Sequence, residues 1–240
     1  MLERIPLGMK VNVIGARGML GTDLVAALGK AGIEARGYDL PDVDITRDNG
    51  GMEEMERSDW VVNCAAYTDV DGAEKESDKA FSVNMDGARR VAGWCRRAGT
   101  RLMHLSTDYV FDGRSRTAYR EDDPVNPLNI YGKSKLAGEK AIAEADISYL
   151  IVRTQSLFGV NGRNFVRAIM LRMQEGGGPL KVVKDQVSSP TYTVHLADAI
   201  LRLLKMDKLG IVHVSASGEC SWHELACAIA ANVRPGTEVL

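Results

Sequence analysis

A chain of 240 residues, 45% hydrophobic and 26% charged, has the composition of a globular protein in water. Its length suits one large domain, or one domain with a small appendage, burying roughly 70–75% of its unfolded surface. A formal net charge of −2 without a basic block argues against nucleic acid as a partner. No apolar run reaches membrane length, and the start lacks the apolar core of a signal peptide, so no membrane partner is expected. Met1 to Gly8 reads as an extension before the first strand, with Met9 a second candidate start. Cys64, Cys95, Cys220 and Cys227 show no Cys-x-x-Cys pairing, and His104, His195, His213 and His223 form no ligand cluster. Reduced thiols in a cytoplasmic protein are expected, with no disulfide frame and no zinc site; Mg²⁺ stays possible but is not indicated by the sequence.

Residues 10–14 form a short strand rich in branched side chains, and Gly15-Ala16-Arg17-Gly18-Met19-Leu20-Gly21 follows at once. An apolar helical pattern then runs from Met19 to about Leu28. Strand, glycine turn and helix together predict a phosphate site. Glycine lets the backbone turn tightly and approach a diphosphate, while the helix N-terminus supplies unpaired N–H groups and a positive dipole. Residues 33–38 read as the second strand, with Asp39 just past its end. An acid there can accept from both ribose hydroxyls of NAD, whereas Arg17 can hold the 2′-phosphate of NADP. The two cues conflict, and NADH and NADPH both stay open. Asp44 and Ile45, farther along, could wall an adenine ring.

Residues 59–63 predict a third strand running into Cys64-Ala65-Ala66-Tyr67-Thr68, where small side chains leave room for a ligand. Asp71-Gly72-Ala73-Glu74 has capping-box spacing, and its carboxylates read as structural. One long helix is expected over 77–98, with Asn84 in its first half. Residues 101–105 form a fourth strand ending in Ser106-Thr107-Asp108, hydroxyls placed where a substrate carbonyl could be hydrogen-bonded.

The helix over 127–144 carries Tyr131 and Lys135, four residues apart and so on one face. A phenol is a proton donor at neutral pH, and an ammonium one turn away favours the phenolate, bringing that proton closer to transfer. Carbonyl reduction needs such an acid beside the oxygen that becomes negative. A strand over 148–152, a helix over 164–174 and a break at Gly176-Gly177-Gly178 follow. A short strand over 180–183, a helix over 195–204, a strand over 211–215 and a helix over 222–232 close the chain.

Strands alternating with helices of ten or more residues predict an α/β protein with a Rossmann-type doubly wound parallel sheet. Residues 9–155 are expected to form the dinucleotide-binding domain. Residues 156–240 are expected to add a small substrate lobe and the last elements of the sheet.

Gly15-x-x-Gly18-x-x-Gly21 with Tyr131-x-x-x-Lys135 resembles the extended short-chain dehydrogenase/reductase family. More narrowly, four stretches resemble the dTDP-4-dehydrorhamnose reductase family. They are Asn63-Cys-Ala-Ala-Tyr-Thr68, Ser106-Thr-Asp-Tyr-Val-Phe-Asp-Gly113, Tyr131-Gly-Lys-Ser-Lys-Leu-Ala-Gly-Glu139 and Asp185-Gln-Val-Ser-Ser-Pro-Thr191. The resemblance implies reduction of the C4 ketone of dTDP-4-dehydro-L-rhamnose with NADPH or NADH, a nucleotide-sugar substrate, and leaves a homodimer open. It implies Tyr131 as proton donor, Lys135 on the nicotinamide ribose and Thr107 on the keto oxygen. Gly15, Gly18, Met19, Leu20 and Gly21 would hold the diphosphate. Asp39, Asp44 and Ile45 would surround the adenosine, and Cys64, Ala65, Ala66 and Thr68 would line the middle of the cofactor. Two departures stand out: Ser156 replaces the family's usual tryptophan, and relatives continue past the position of Leu240, so an incomplete substrate lobe is expected. The β subunit of methionine adenosyltransferase, a non-catalytic NADP-binding regulator, is similar over the same stretches. Epimerases and dehydratases of nucleotide sugars are a third reading.

Overall fold

The branched run Lys10–Ile14 is strand β1, and the glycines after it turn the chain into helix α1 (Met19–Lys30). In the computed structural model, which describes residues 8–48, 50–176 and 178–240, this strand-to-helix step recurs along the chain. The expected N-terminal extension up to residue 7, and Gly177 of the triple glycine, lie outside the described residues. Strands β2 (Glu34–Tyr38) and β3 (Trp60–Asn63) come next, then helices α2 (Val70–Ala73), α3 (Ser77–Phe81) and α4 (Ala88–Ala98). Strand β4 (Arg101–Thr107), helix α5 (Ile130–Ala143) and strand β5 (Tyr149–Thr154) follow. The remainder is β6 (Leu157–Phe158), α6 (Phe165–Glu175), β7 (Val187–Ser188), β8 (Thr191–Tyr192), α7 (Thr193–Lys205), β9 (Gly210–His213), β10 (Cys220–Ser221) and α8 (Trp222–Val233). Among the described residues no helix is long and apolar enough to cross a membrane.

Six strands pair in parallel in the order β2-β1-β3-β4-β5-β9. The chain steps outward from β1 to β2, then crosses back past β1 to β3. Strand order therefore reverses between β1 and β3, and such a switch point opens a crevice at the C-terminal strand ends. Side chains alternate across the sheet, so each strand feeds two cores. Val11, Val13, Trp60, Val62 and Met103 face α1 and α7, where they meet Leu24, Leu28, Leu196 and Ile200. Ile14, Val61 and Leu102 face the opposite way and meet Val91, Ala92 and Cys95 of α4 and Ile142 of α5. Each such aliphatic side chain contributes roughly 1.5–3 kcal/mol by leaving water. A third, smaller core joins Ile169 and Met173 of α6 to Ala226, Ile229 and Ala230 of α8. Residues after 155 thus build this lobe and also supply α7 and β9 to the main sheet.

Three local expectations differ from what is observed. The helix expected over 77–98 contains a π-helical segment, Ser82–Gly87, between α3 and α4. Its wide turn carries Asn84, whose side chain accepts from Tyr67 N–H at 2.9 Å and donates to Tyr67 O at 3.1 Å and Ser134 Oγ at 2.9 Å. Helix α5 presses so closely here that a Cβ on Gly138 would lie 2.2 Å from Asn84 O. The cap of α2 is Asp69, which accepts from Gly72 N–H at 2.9 Å; Asp71 sits inside the first turn. Residues 180–183 join no sheet. Leu180 forms one parallel bridge with Val239, because the backbone it meets is that of the last three residues.

Candidate active site

At Gly15 and Gly21 the loop after β1 has no room for side chains. Gly15 adopts φ +77°, and a Cβ on it would lie 2.7 Å from Ala65 N; one on Gly21 would lie 2.1 Å from Gly15 O. Strand, loop and helix therefore meet through bare backbone. Helix α1 starts at Gly18, whose lack of a side chain leaves the first N–H groups of the helix uncapped at the crevice. That cradle fits an anionic diphosphate. Leu20 places its side chain in the core and Met19 is partly exposed, its sulfur 3.5 Å from Asn164 Nδ2.

At the end of β2 the two conflicting cues brace each other. Asp39 accepts from Arg17 N–H and from Leu40 N–H, both at 2.8 Å, while the Arg17 guanidinium donates to Leu40 O at 2.9 Å. Both Asp39 oxygens are thus engaged by backbone, and Arg17 stays exposed on the rim, 3.8 Å from Asp42. Asp44 accepts from Thr46 Oγ1 at 2.6 Å and Thr46 N–H at 2.9 Å, bonds that hold its carboxyl below the usual range. Ile45 is buried in the second core. These two positions offer a ligand their backbone more than their side chains. After β3, Cys64 N–H donates to Ile14 O at 2.9 Å. Burial pushes the Cys64 thiol up to about 12, so it stays uncharged. Ala65 and Ala66 are half-buried beside it, and Thr68 is exposed.

Helix α5 is fixed at its start by two side chains. Asn129 caps it by accepting from Gly132 N–H at 2.8 Å, and Glu74 accepts from Ile130 N–H at 2.8 Å. Gly132 then abuts the turn after β4, where a Cβ would lie 2.2 Å from Tyr109 O. This contact sets Tyr131 edge-on to Tyr109, ring centroids 5.5 Å apart. Thr107 donates to Asp108 Oδ1 at 3.0 Å and accepts from Tyr109 N–H at 3.2 Å. Burial raises the Tyr131 phenol above its ordinary value; the neighbouring Thr107 hydroxyl acts the other way, and Asp108 and Tyr109 add to the rise. Burial also raises Asp108 to about 6.

Lys135, one turn along α5 from Tyr131, is buried. It is 2% exposed, and its Nζ donates to Leu105 O at 2.6 Å and lies 3.2 Å from His104 Nε2. Burial lowers it to about 8, against the opposing pull of Glu139 and Cys64. The amine turns to the β4 backbone because that carbonyl satisfies a desolvated donor. Burial, with Asp108 and Tyr109 beside it, holds Tyr131 as a protonated acid.

Four side chains not singled out from the sequence underlie the site: Asn63, His104, Glu139 and Arg153. Tyr131, Lys135 and Glu139 follow at four-residue steps on α5, a spacing that could have pointed to Glu139. Glu139 accepts from Arg153 Nε at 3.0 Å, Arg153 Nη2 at 2.7 Å and Ser106 Oγ. The Arg153 guanidinium also lies over the Phe111 ring, 5.2 Å from its centroid. Among the described residues no group of three or more His, Cys, Asp or Glu is arranged to hold a metal ion.

A doubly wound parallel sheet, a glycine loop at its switch point and a Tyr-x-x-x-Lys helix beside β4 define an extended short-chain dehydrogenase/reductase fold. Residues 9–239 match the family described as RmlD substrate binding domain, and the chain belongs to that family. It is 44% identical over 225 residues to the spore coat polysaccharide biosynthesis protein SpsK of Bacillus subtilis, covering 92% of this chain and 78% of that one. It is 42% identical to a dTDP-4-keto-6-deoxy-D-glucose reductase of Streptomyces niveus, covering 89% and 75% of the two chains. The crystal structure of dTDP-4-dehydrorhamnose reductase from Bacillus anthracis in complex with NADP superposes with a TM-score of 0.91 at 39% identity, covering 97% of this chain and 84% of that one.

Proposed function

We propose that the chain is an NAD(P)H-dependent reductase that converts the C4 ketone of dTDP-4-dehydro-L-rhamnose to the alcohol of dTDP-L-rhamnose. The observation that carries the reading is the placement of Tyr131, in the first turn of α5, against the turn that follows Thr107 at the C-terminal end of β4, with its ring edge-on to Tyr109 and Gly132 packed on Tyr109 O. Tyr131 holds a proton at Oη and gives it to the C4 oxygen as negative charge develops there. Thr107 hydrogen-bonds the same oxygen and orients it. Gly15, Gly18 and Gly21, with the Met19 and Leu20 N–H groups, hold the diphosphate, and Arg17 and Asp39 flank the adenosine. Cys64, Ala65, Ala66 and Thr68 line the middle, with Tyr131 and Lys135 at the nicotinamide ribose. When bound, the nicotinamide supplies the hydride. The NADP complex of the Bacillus anthracis relative supports this cofactor class. Four free cysteines suit the reducing cytoplasm.

The test is nicotinamide absorbance on mixing the protein with NADPH or NADH and each of two sugars, dTDP-4-dehydro-L-rhamnose and dTDP-4-keto-6-deoxy-D-glucose. Oxidation driven by the rhamnose precursor is expected. Oxidation driven by dTDP-4-keto-6-deoxy-D-glucose alone would move the substrate to that named for the Streptomyces niveus relative. Cofactor binding with no turnover on either would overturn the reductase reading.

Arg17 is expected to read the 2′-phosphate, since its guanidinium sits on the rim while Asp39 is engaged by backbone. Arg17→Ala should raise the Kd for NADPH by roughly tenfold, the worth of one charged hydrogen bond, and change NADH by less than about twofold. Fluorescence titration of both cofactors checks this, and equal weakening of the two would contradict it.

A further inference from the structure

His104 lies buried on β4, 1% exposed, with a donor against each ring nitrogen. Asn63 Nδ2 is 3.2 Å from Nδ1, and Lys135 Nζ is 3.2 Å from Nε2. The Asn63 amide has one satisfying orientation. Its Oδ1 accepts from Ala65 N–H at 3.1 Å, so turning it over would set an NH₂ group against that N–H. Nδ2 therefore donates to Nδ1, which carries no proton. Burial keeps the imidazole neutral, so the ring's one proton sits on Nε2. An Nε2–H facing Lys135 finds a lone pair only on an uncharged amine; an ammonium there would set donor against donor.

We propose that His104 is a positioning residue that sets the proton state of Lys135. Through the tautomer Asn63 imposes, it donates to the Lys135 nitrogen and favours the neutral amine in the cofactor-free protein, so that under mildly alkaline conditions a proton from solvent is taken up when the dinucleotide arrives. The remaining neighbours fit this chain of bonds. Leu105 O takes one N–H of the amine at 2.6 Å, Cys64 beyond β3 is an uncharged thiol, and Glu139 on α5 is occupied by Arg153 and Ser106. Glu139 and Cys64 are the groups that pull Lys135 toward its charged form, and burial outweighs them. The dinucleotide brings anionic charge and ribose hydroxyls toward Lys135, which favours the ammonium. The coupling to cofactor rests on the function proposed above; the tautomer and the neutral amine do not.

The experiment is nitrogen NMR of the cofactor-free protein labelled at histidine and lysine, followed by calorimetry of NADP⁺ binding in buffers of different ionisation enthalpy. Expected are an unprotonated Nδ1 on His104 and a Lys135 amine titrating near 8 or lower instead of the ordinary value of about 10.4. Above that pH, binding enthalpy should vary with the buffer in proportion to about one proton taken up. His104→Gln can turn a carbonyl oxygen toward the lysine, and should raise the Lys135 titration by about one pH unit or more. A protonated Nδ1, or a Lys135 titration at the ordinary lysine value, would overturn the assignment. Buffer-independent enthalpy would overturn the coupling. Failure of NADP⁺ to bind would sink the cofactor reading instead, with the NMR result still deciding between the two states of Lys135.

Discussion

Tyr131→Phe is expected to lower kcat by roughly two to four orders of magnitude, the usual worth of a positioned general acid. The change removes one oxygen and keeps the ring that meets Tyr109 edge-on, so the packing of α5 against the turn after β4 survives. Cofactor affinity should stay within about threefold, because the glycine loop and the N-terminus of α1 are untouched. The loss should therefore fall on kcat and on kcat/KM together, as for a group used in the transition state. Burial, Asp108 and Tyr109 all raise the phenol, so the wild-type acid stays protonated across the neutral range and well into alkali. A variant retaining more than about a tenth of wild-type kcat would remove Tyr131 as the acid. Thr107 or a water would then have to supply the proton.

Glu139→Leu is expected to destabilise the fold by about 3–5 kcal/mol, because it strands the Arg153 guanidinium without its counter-charge. The two side chains are 4% and 5% exposed, and the pair is held by two bonds at 3.0 and 2.7 Å, so water cannot substitute readily. At roughly 2–4 °C per kcal/mol for a chain of this size, the fall in Tm should be on the order of 10 °C. Combining it with Arg153→Leu should recover a large part of the loss, since an apolar pair leaves no buried charge. Thermal unfolding of the two single variants and the double variant gives the comparison. A shift below about 2 °C for Glu139→Leu would mean that solvent reaches Arg153 after all. Glu139 lies one turn beyond Lys135 and two beyond Tyr131, so the pair also fixes the rotation of the helix that carries them.

What the sequence made legible was local. Lys10–Ile14 followed by glycines and an apolar helix is a pattern within a single window, and it placed the phosphate cradle and the switch point. The repeat of that pattern gave the parallel sheet, and the four-residue step from Tyr131 to Lys135 gave the helix that carries both side chains. What escaped depends on partners far along the chain. The direction of the Lys135 amine is set by Leu105 O, thirty residues earlier, and the tautomer of His104 by Asn63, forty-one residues earlier. The π turn at Ser82–Gly87 exists where α5 comes close enough for Gly138 to touch Asn84, a contact no helical period announces. Asp69 and Asp71 are equally good caps by type. The extended backbone at Asp69 decided between them.

The sheet order also has a consequence in time. Five neighbouring strands, β2-β1-β3-β4-β5, leave the ribosome as one stretch ending at Thr154, whereas α7 begins at Thr193. At roughly 5–20 residues per second, the 38 residues between them delay that helix by roughly two to eight seconds. During that interval Val11, Val13, Val62 and Val152, a continuous apolar strip beneath α7, have only α1 to cover them. The nascent chain thus carries its complete dinucleotide cradle before it carries the helix that seals the sheet behind it. Apolar surface left uncovered in this way is prone to aggregation until the covering helix is made.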